Sequence, residues 1–243
     1  MATFNVHAGH NPDGKTACGA IGLIKESTEN RRIKDLVIKQ LKSQGHTVYD
    51  CTVDNGANKN DVLRKIVEKC NAHKVDLDVS IHFNSGASDR AGNGKSAGTE
   101  VLIYDLESKA LDEAKRTVEA IASLGFRNRG VITRPGLYVL RKTKSPAMLI
   151  ECCFVDDKDD VKLYDPGTMA EAIVYGITGK RSSEYRVRIN TKNLNVRKGP
   201  GTTYGVETVV HKNEVYTIVE TSGKWGKLKS GAGWISLLYT EKA

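Results

Sequence analysis

The feature that most constrains the fold is a change of rhythm near Gly179. Before it, short runs rich in Val, Ile, Leu and Thr occur at Thr3 to Val6, Thr47 to Val53, Leu77 to Ile81, Thr99 to Tyr104 and Ala147 to Ile150, bounded by Gly, Asn or Asp; they read as strands. Between them, Ile33, Leu36, Val37 and Leu41 recur at helical spacing, as do Val62, Ile66 and Cys70, and then Leu111, Ala114, Val118 and Ile121; a last helix spans about Pro166 to Ile177. Strands alternating with helices predict an α/β fold, a mostly parallel twisted sheet flanked by helices. Beyond Gly179 the helical spacing stops. From Tyr185 onward, Arg186 to Ile189, Leu194 to Arg197, Val206 to Val210, Glu214 to Val219 and Gly233 to Ser236 are separated by Gly, Pro, Asn and Ser turns, the pattern of a small all-β barrel or sandwich. The chain therefore divides into residues 1–179, a linker at Lys180 to Glu184, and residues 185–243.

Charge divides at the same place. Residues 1–179 hold 25 basic and 24 acidic side chains, whereas residues 180–243 hold 12 and 5, so most of the net charge of +8 sits in the tail. With 39% hydrophobic residues the chain can bury a core and is not disordered. No apolar run approaches the roughly 18 residues of a spanning helix, which excludes membrane insertion by a helix, and residues 1–7 lack the basic and apolar regions of a signal peptide. The expectation is a soluble chain made in the cytoplasm without an export signal. Five cysteines, an odd number without a C-x-x-C pair, argue against a disulfide framework and a cysteine zinc knuckle.

In open α/β sheets, ligands bind beyond the carboxyl ends of the strands. The polar residues that follow the predicted strands are Ala8-Gly9-His10-Asn11 after the first, His82-Phe83-Asn84 after the third, and Glu151 after the last. An apolar run has little reason to end in imidazole, and a carboxylate at the end of Ala147 to Ile150 is costly without a partner. Glu26, where a loop meets the first helix, returns to the same sheet end, with Glu29 one turn later as an alternative. Two histidines and a glutamate are the set that catalytic zinc commonly takes, leaving a position for water, and a further carboxylate is then needed to move the proton of that water to a leaving amine. Glu151 suits that role.

The segments Ala8-Gly9-His10, Lys25-Glu26-x-x-x-Asn30, Val79-Ser80-Ile81-His82-Phe83-Asn84 and Ser145 to Phe154 together resemble the zinc-dependent N-acetylmuramoyl-L-alanine amidases, over about residues 3–178. The resemblance implies that His10, Glu26 and His82 hold zinc and that Glu151 is the catalytic carboxylate; the match to Lys-Glu-x-x-x-Asn favours Glu26 over Glu29. Where the family often has Asp-Pro-Gly-His, this chain has His7-Ala8-Gly9-His10, and Asp156 stands where Asn is frequent. In the tail, Leu194-Asn195-Val196-Arg197-Lys198-Gly199-Pro200, Gly223-Lys224-Trp225 and Gly231-Ala232-Gly233-Trp234-Ile235 resemble a bacterial SH3-like domain, a cell-wall binding module. The two together have the organisation of a phage endolysin: a peptidoglycan hydrolase that binds Gram-positive cell-wall polymers and acts at the wall after release from the host cytoplasm.

Two rival readings follow from other residues. A cell-wall cysteine peptidase would pair Cys18, Cys51 or Cys70 with His82, but Cys70 lies on the apolar face of a helix and Cys51 within a strand, whereas reactive thiols sit at helix starts beside a base. A nucleic-acid binder would use the basic tail with Trp225, Trp234 and the tyrosines, but its lysines are scattered without a recognition helix or an aromatic strand motif. His46, just after the first helix, is expected as a cation facing the helix C-terminus.

Overall fold

The computed structural model describes residues 1–180 and 185–243, so the expected linker lies, apart from Lys180, outside the described residues. The chain forms two compact units, residues 1–181 and 182–243.

In the first unit the elements run β1 (Thr3–Ala8), α1 (Glu26–Ser43), β2 (Thr47–Asp50), α2 (Lys59–Asn71), β3 (Leu77–Asn84), β4 (Thr99–Ile103), α3 (Leu111–Ala122), β5 (Asn128–Thr133), α4 (Tyr138–Lys142), β6 (Ala147–Phe154), α5 (Lys158–Leu163) and α6 (Pro166–Thr178). The sheet order is β2-β1-β3-β6-β4-β5. Neighbours are parallel except β4 against β6, so the expected mostly parallel α/β sheet is present.

Local chemistry sets the helix ends. Asn58 caps α2 by accepting the Asp61 amide, and Asp165 caps α6 by accepting the Thr168 amide, with Pro166 in the first turn. Gly179 ends α6 in the left-handed conformation, φ 65°.

Strand alternation gives the sheet two unlike faces. Phe4, Val6, Val79, Ile81, Val101, Ile103, Met148 and Ile150 point to one side and join Ile33, Val37, Ala114, Val118, Ile121, Met169 and Ile173 of α1, α3 and α6 in one apolar core. The residues between them point to the other side. There Val62, Ile66 and Cys70 of α2 and Val139 of α4 pack with Cys51 and Val53, and a small cluster holds Leu102, Leu140, Ala147 and Leu149. The remaining positions of that second face are polar: Asn5, His7, Asp78, Ser80, His82, Glu100 and Glu151.

Three details differ from the sequence-based expectation. β3 and β6 run on to Asn84 and Phe154, so His82 and Glu151 lie inside strands, not after them. β2 stops at Asp50 because the Asp50 carboxylate accepts the Thr52 amide and turns the chain. A sixth strand, β5, occupies one edge with most of its residues at least partly exposed.

The second unit carries β7 (Tyr185–Ile189), β8 (Asn193–Arg197), β9 (Val206–His211), β10 (Val215–Ser222), β11 (Trp225–Leu228), β12 (Trp234–Ser236) and β13 (Thr240–Lys242). They form one antiparallel sheet in the order β13-β7-β10-β11-β12-β8-β9 around Val187, Ile189, Val196, Ile218, Leu228 and Ile235. The small all-β unit expected from the turn spacing is therefore present.

Candidate metal and catalytic site

Glu26 opens α1 and is buried to 3% exposure. Its Oε1 lies 3.0 Å from His82 Nδ1 and 3.3 Å from His10 Nε2. The Phe83 amide donates to the same oxygen at 3.2 Å and the Ala20 amide donates to Oε2 at 2.7 Å, so the carboxylate is fixed from a strand, β3, and from the loop before α1. Burial alone works to raise its pKa, but the hydrogen bonds and charges of His10 and His82 hold it far below the ordinary carboxylate range. One ligand atom from each of His10, Glu26 and His82 lies within 4.8 Å of the others. The two imidazoles meet edge to face, with ring centroids 4.9 Å apart.

The backbone is shaped for this approach. The turn after β1 puts His10 at φ 66°, and α1 holds that turn from one side: Asn30 donates to the Gly9 carbonyl at 2.9 Å and Arg31 to the His10 carbonyl at 2.9 Å. Glu26 and Asn30, four residues apart, thus share a helix face that meets the histidine turn. At Gly9 a Cβ would stand 2.0 Å from His82 Cε1, so a side chain there would displace the ring.

Glu151 is the register partner of His82 on the neighbouring strand. Its Oε2 is buried and has no hydrogen-bond partner among the described residues. Burial, then the charges of Glu26 and Glu100, push its pKa up to about 8. Glu100 in turn faces Glu151 across β4 and β6, is buried, and accepts from Asn84 at 3.0 Å and from Arg129 Nε at 2.6 Å.

The structure thus brings together all four residues singled out in the sequence. Glu29 points elsewhere: it accepts from the Tyr164 hydroxyl at 2.8 Å. His7 lies on the same sheet face but outside the cluster, 3.5 Å from the Ser80 hydroxyl, and burial drives its pKa down to about 3, which leaves it neutral. His46 is not the expected cation, because its Nδ1 accepts the Ala2 amide at 3.2 Å and burial lowers its pKa. Glu100, Arg129 and the anchoring role of Asn30 were missed in the sequence. Glu100 was legible by the rule that found Glu151, a carboxylate within an otherwise apolar run.

Of the five cysteines, Cys18, in the loop before α1, is the one that is partly exposed. Cys51, Cys70, Cys152 and Cys153 are all buried, and burial pushes the Cys152 and Cys153 thiols well up. His10 and His82 both direct a nitrogen at Glu26.

In the second unit, Trp225 and Tyr239 line a cleft of about 470 Å³ together with Asn193, Asn195, Arg197 and Lys224. Trp234, which the nucleic-acid reading would use together with Trp225, is buried in the sheet, with Lys227 lying 5.7 Å from its ring centre.

Comparison with known proteins finds a match for each of the two units. The model of the N-acetylmuramoyl-L-alanine amidase family matches residues 5–179, and that of the bacterial SH3 domain matches residues 192–241. An uncharacterized protein of Clostridium perfringens is 33% identical over 230 residues, 86% of this chain and 66% of its own length. The endolysin of Bacillus phage SPP1 is 29% identical over 180 residues, 70% of this chain and 60% of its own. This chain spans less than two thirds of each of these two relatives. Among solved structures, the catalytic domain of the CD27L endolysin, targeting Clostridia Difficile, superimposes with a TM-score of 0.66 at 26% identity, over 74% of this chain and 99% of that one.

Proposed function

From the premise that the chain belongs to the N-acetylmuramoyl-L-alanine amidase family, we propose that it is a zinc-dependent endolysin, hydrolysing the amide between the lactyl carbonyl of N-acetylmuramic acid and L-alanine in Gram-positive walls. The observation that carries the reading is the convergence of His10, Glu26 and His82 beside the buried carboxyl of Glu151. The donor set fits zinc: two imidazoles with one carboxylate held ionised, all within reach of one another, is the composition of a hydrolytic site with an open position. When bound, zinc supplies Lewis acidity toward the scissile carbonyl and lowers the pKa of water to about 7.

The chain's own residues do the rest. Glu26, fixed by the Ala20 and Phe83 amides, holds both imidazoles in orientation. Asn30 and Arg31 keep the His10 turn against α1. Glu151 takes a proton from the attacking water and returns it to the departing alanine nitrogen. Its Oε2, buried without a hydrogen-bond partner among the described residues, is free to take up a proton in one step and release it in the next.

We assign residues 1–179 to catalysis and residues 185–243, through the cleft around Trp225, to wall polymers. Tethering to the wall raises the local concentration of the catalytic unit. Residues 1–179 alone are therefore expected to cleave solubilised peptidoglycan but to lyse intact cells less well than the full chain.

Digestion of purified wall tests the central reading. New free L-alanine amino termini that disappear with a chelator and return with zinc are expected, with little effect of thiol alkylation. Release of reducing sugars alone would overturn it. The reverse sensitivity, to alkylation and not to chelation, would establish the cysteine peptidase instead.

A further inference from the structure

His10 is held in a backbone conformation that residues other than glycine rarely adopt. Its φ of 66° lies in the left-handed region, and Ala17, at the far end of the same loop, has φ 59°. Such backbone persists only where the surroundings over-determine it. One support is α1, through Asn30 and Arg31. A second is the segment 53–56, which leads from β2 toward α2.

Asn11 makes the second connection. The residue is 1% exposed and its side-chain amide is fully used: Nδ2 donates to the Thr16 carbonyl at 2.7 Å and to the Gly56 carbonyl at 2.7 Å, while Oδ1 accepts the Gly56 amide at 3.0 Å. This two-way exchange with Gly56 imitates a strand pair with a side chain. The Asn11 backbone amide donates to the Ala17 carbonyl at 3.0 Å, which closes residues 11–17 on themselves. Gly56 is in turn seated on α2, because a Cβ there would stand 2.3 Å from Val62 Cγ2.

Arg31 ties the same segment to the turn. Its Nη2 donates to the His10 carbonyl at 2.9 Å, to the Val53 carbonyl at 3.2 Å and to Asp54 Oδ1 at 2.7 Å. A metal-ligating histidine is usually oriented by a partner on its second ring nitrogen. His10 directs Nε2 at Glu26, and its Nδ1 has no hydrogen-bond partner among the described residues. Its orientation is therefore carried by the backbone.

We propose that Asn11 is a positioning residue: by clasping the segment 53–56 it keeps His10 turned toward Glu26 and His82, and so sets the affinity of the site for zinc. The inference rests on the zinc reading of that site.

Zinc affinity of the full chain, measured by competition with a chromophoric chelator, tests it. Asn11→Ala is expected to weaken zinc binding by roughly 10–100-fold, the range for residues that orient a ligand from outside the coordination sphere, and to change the visible spectrum of the cobalt(II)-substituted chain. Asp54→Asn, at a side chain 63% exposed, should weaken it less, because Arg31 keeps its bond to the His10 carbonyl. Hydrogen exchange of the metal-free chain reads the clasp without zinc. In Asn11→Ala the amide of residue 11 should exchange roughly tenfold faster or more, the size of one lost hydrogen bond, with the amides of β3 and β6 unchanged. If the wild-type chain binds no zinc, the zinc reading fails and exchange decides whether the clasp holds the turn. Should Asn11→Ala not fold, Asn11→Ser, whose hydroxyl can still donate to one carbonyl, is read in the same way. An Asn11 variant that folds and keeps wild-type zinc affinity and cobalt spectrum, exchange that quickens equally in β3 and β6, or failure of both variants to fold would overturn the proposal and leave Asn11 a support of the fold.

Discussion

The two faces of the catalytic sheet are made by the same strands and have opposite properties. Toward α1, α3 and α6 every strand presents aliphatic side chains, and Val6, Val79, Val101, Met148 and Ile150 are fully buried. On the other side the same strands present Asn5, His7, Asp78, Ser80, His82, Glu100 and Glu151 beside the apolar Leu102, Ala147 and Leu149. Four buried polar atoms of this second face, Asn5 Oδ1, His7 Nε2, Asp78 Oδ2 and Glu151 Oε2, have no hydrogen-bond partner among the described residues. One face therefore supplies the stability that the other gives up, because unpaired polar groups and desolvated charges oppose folding. Chemistry is concentrated where packing is poorest in energy.

Ile150 and Glu151 set this contrast in adjacent residues, and substitution at each should separate the two roles. Glu151→Gln removes the proton carrier while keeping the shape, and turnover should fall by about 10²–10⁴-fold. Bound zinc and the thermal midpoint should be retained, since a buried carboxyl without a partner is replaced by a neutral amide. Kinetics on a muramoyl peptide, with metal analysis of the same sample, checks it; an active variant would remove Glu151 from its role. Ile150→Ala should do the reverse, with a loss of about 2–5 kcal/mol of stability from the cavity left in the α1–α3–α6 core. Denaturant unfolding reads that loss, and the surviving folded fraction should keep its zinc content.

How far this division can be read from the sequence depends on contrast within each run. His82 and Glu151 stood out because imidazole and carboxylate interrupt aliphatic residues. Strands β1, β3, β4 and β6 were legible for the same reason, being apolar on at least one face. β5 was not, because as an edge strand it buries little and only Val131 and Ile132 among its six residues are apolar. Helices α4 and α5, of five and six residues, are too short to establish a period. The choice between Glu26 and Glu29 rested on a family pattern, and its physical reason is tertiary: Tyr164 of the loop after α5 takes Glu29, and two amides, Phe83 of β3 and Ala20 of the loop before α1, take Glu26. His46 was misread because its partner, the Ala2 amide, lies 44 residues away in sequence.

The smallest expected effect lies far from the reaction, at Asp78 on the same polar face. Its Oδ1 accepts from Asn5 at 2.6 Å, but burial outweighs that bond and the contact with Cys70, raising its pKa from the ordinary 3.8 to about 6. The folded chain therefore binds more protons than the unfolded chain between about pH 4 and pH 6. Stability must then fall as pH rises through that window, and at neutral pH the ionised carboxylate costs the fold up to about 3 kcal/mol. Asp78→Asn has no charge to desolvate and can still accept from Asn5 through its amide oxygen. The variant should lose less unfolding free energy than wild type between pH 4 and pH 7, and should be the more stable of the two at pH 7. Denaturant titrations of both proteins across that range check the sign. A wild-type chain whose stability rises with pH relative to Asp78→Asn would mean that Asp78 is satisfied as a carboxylate, and that this end of the second face is not under the strain that Glu151 and its neighbours share.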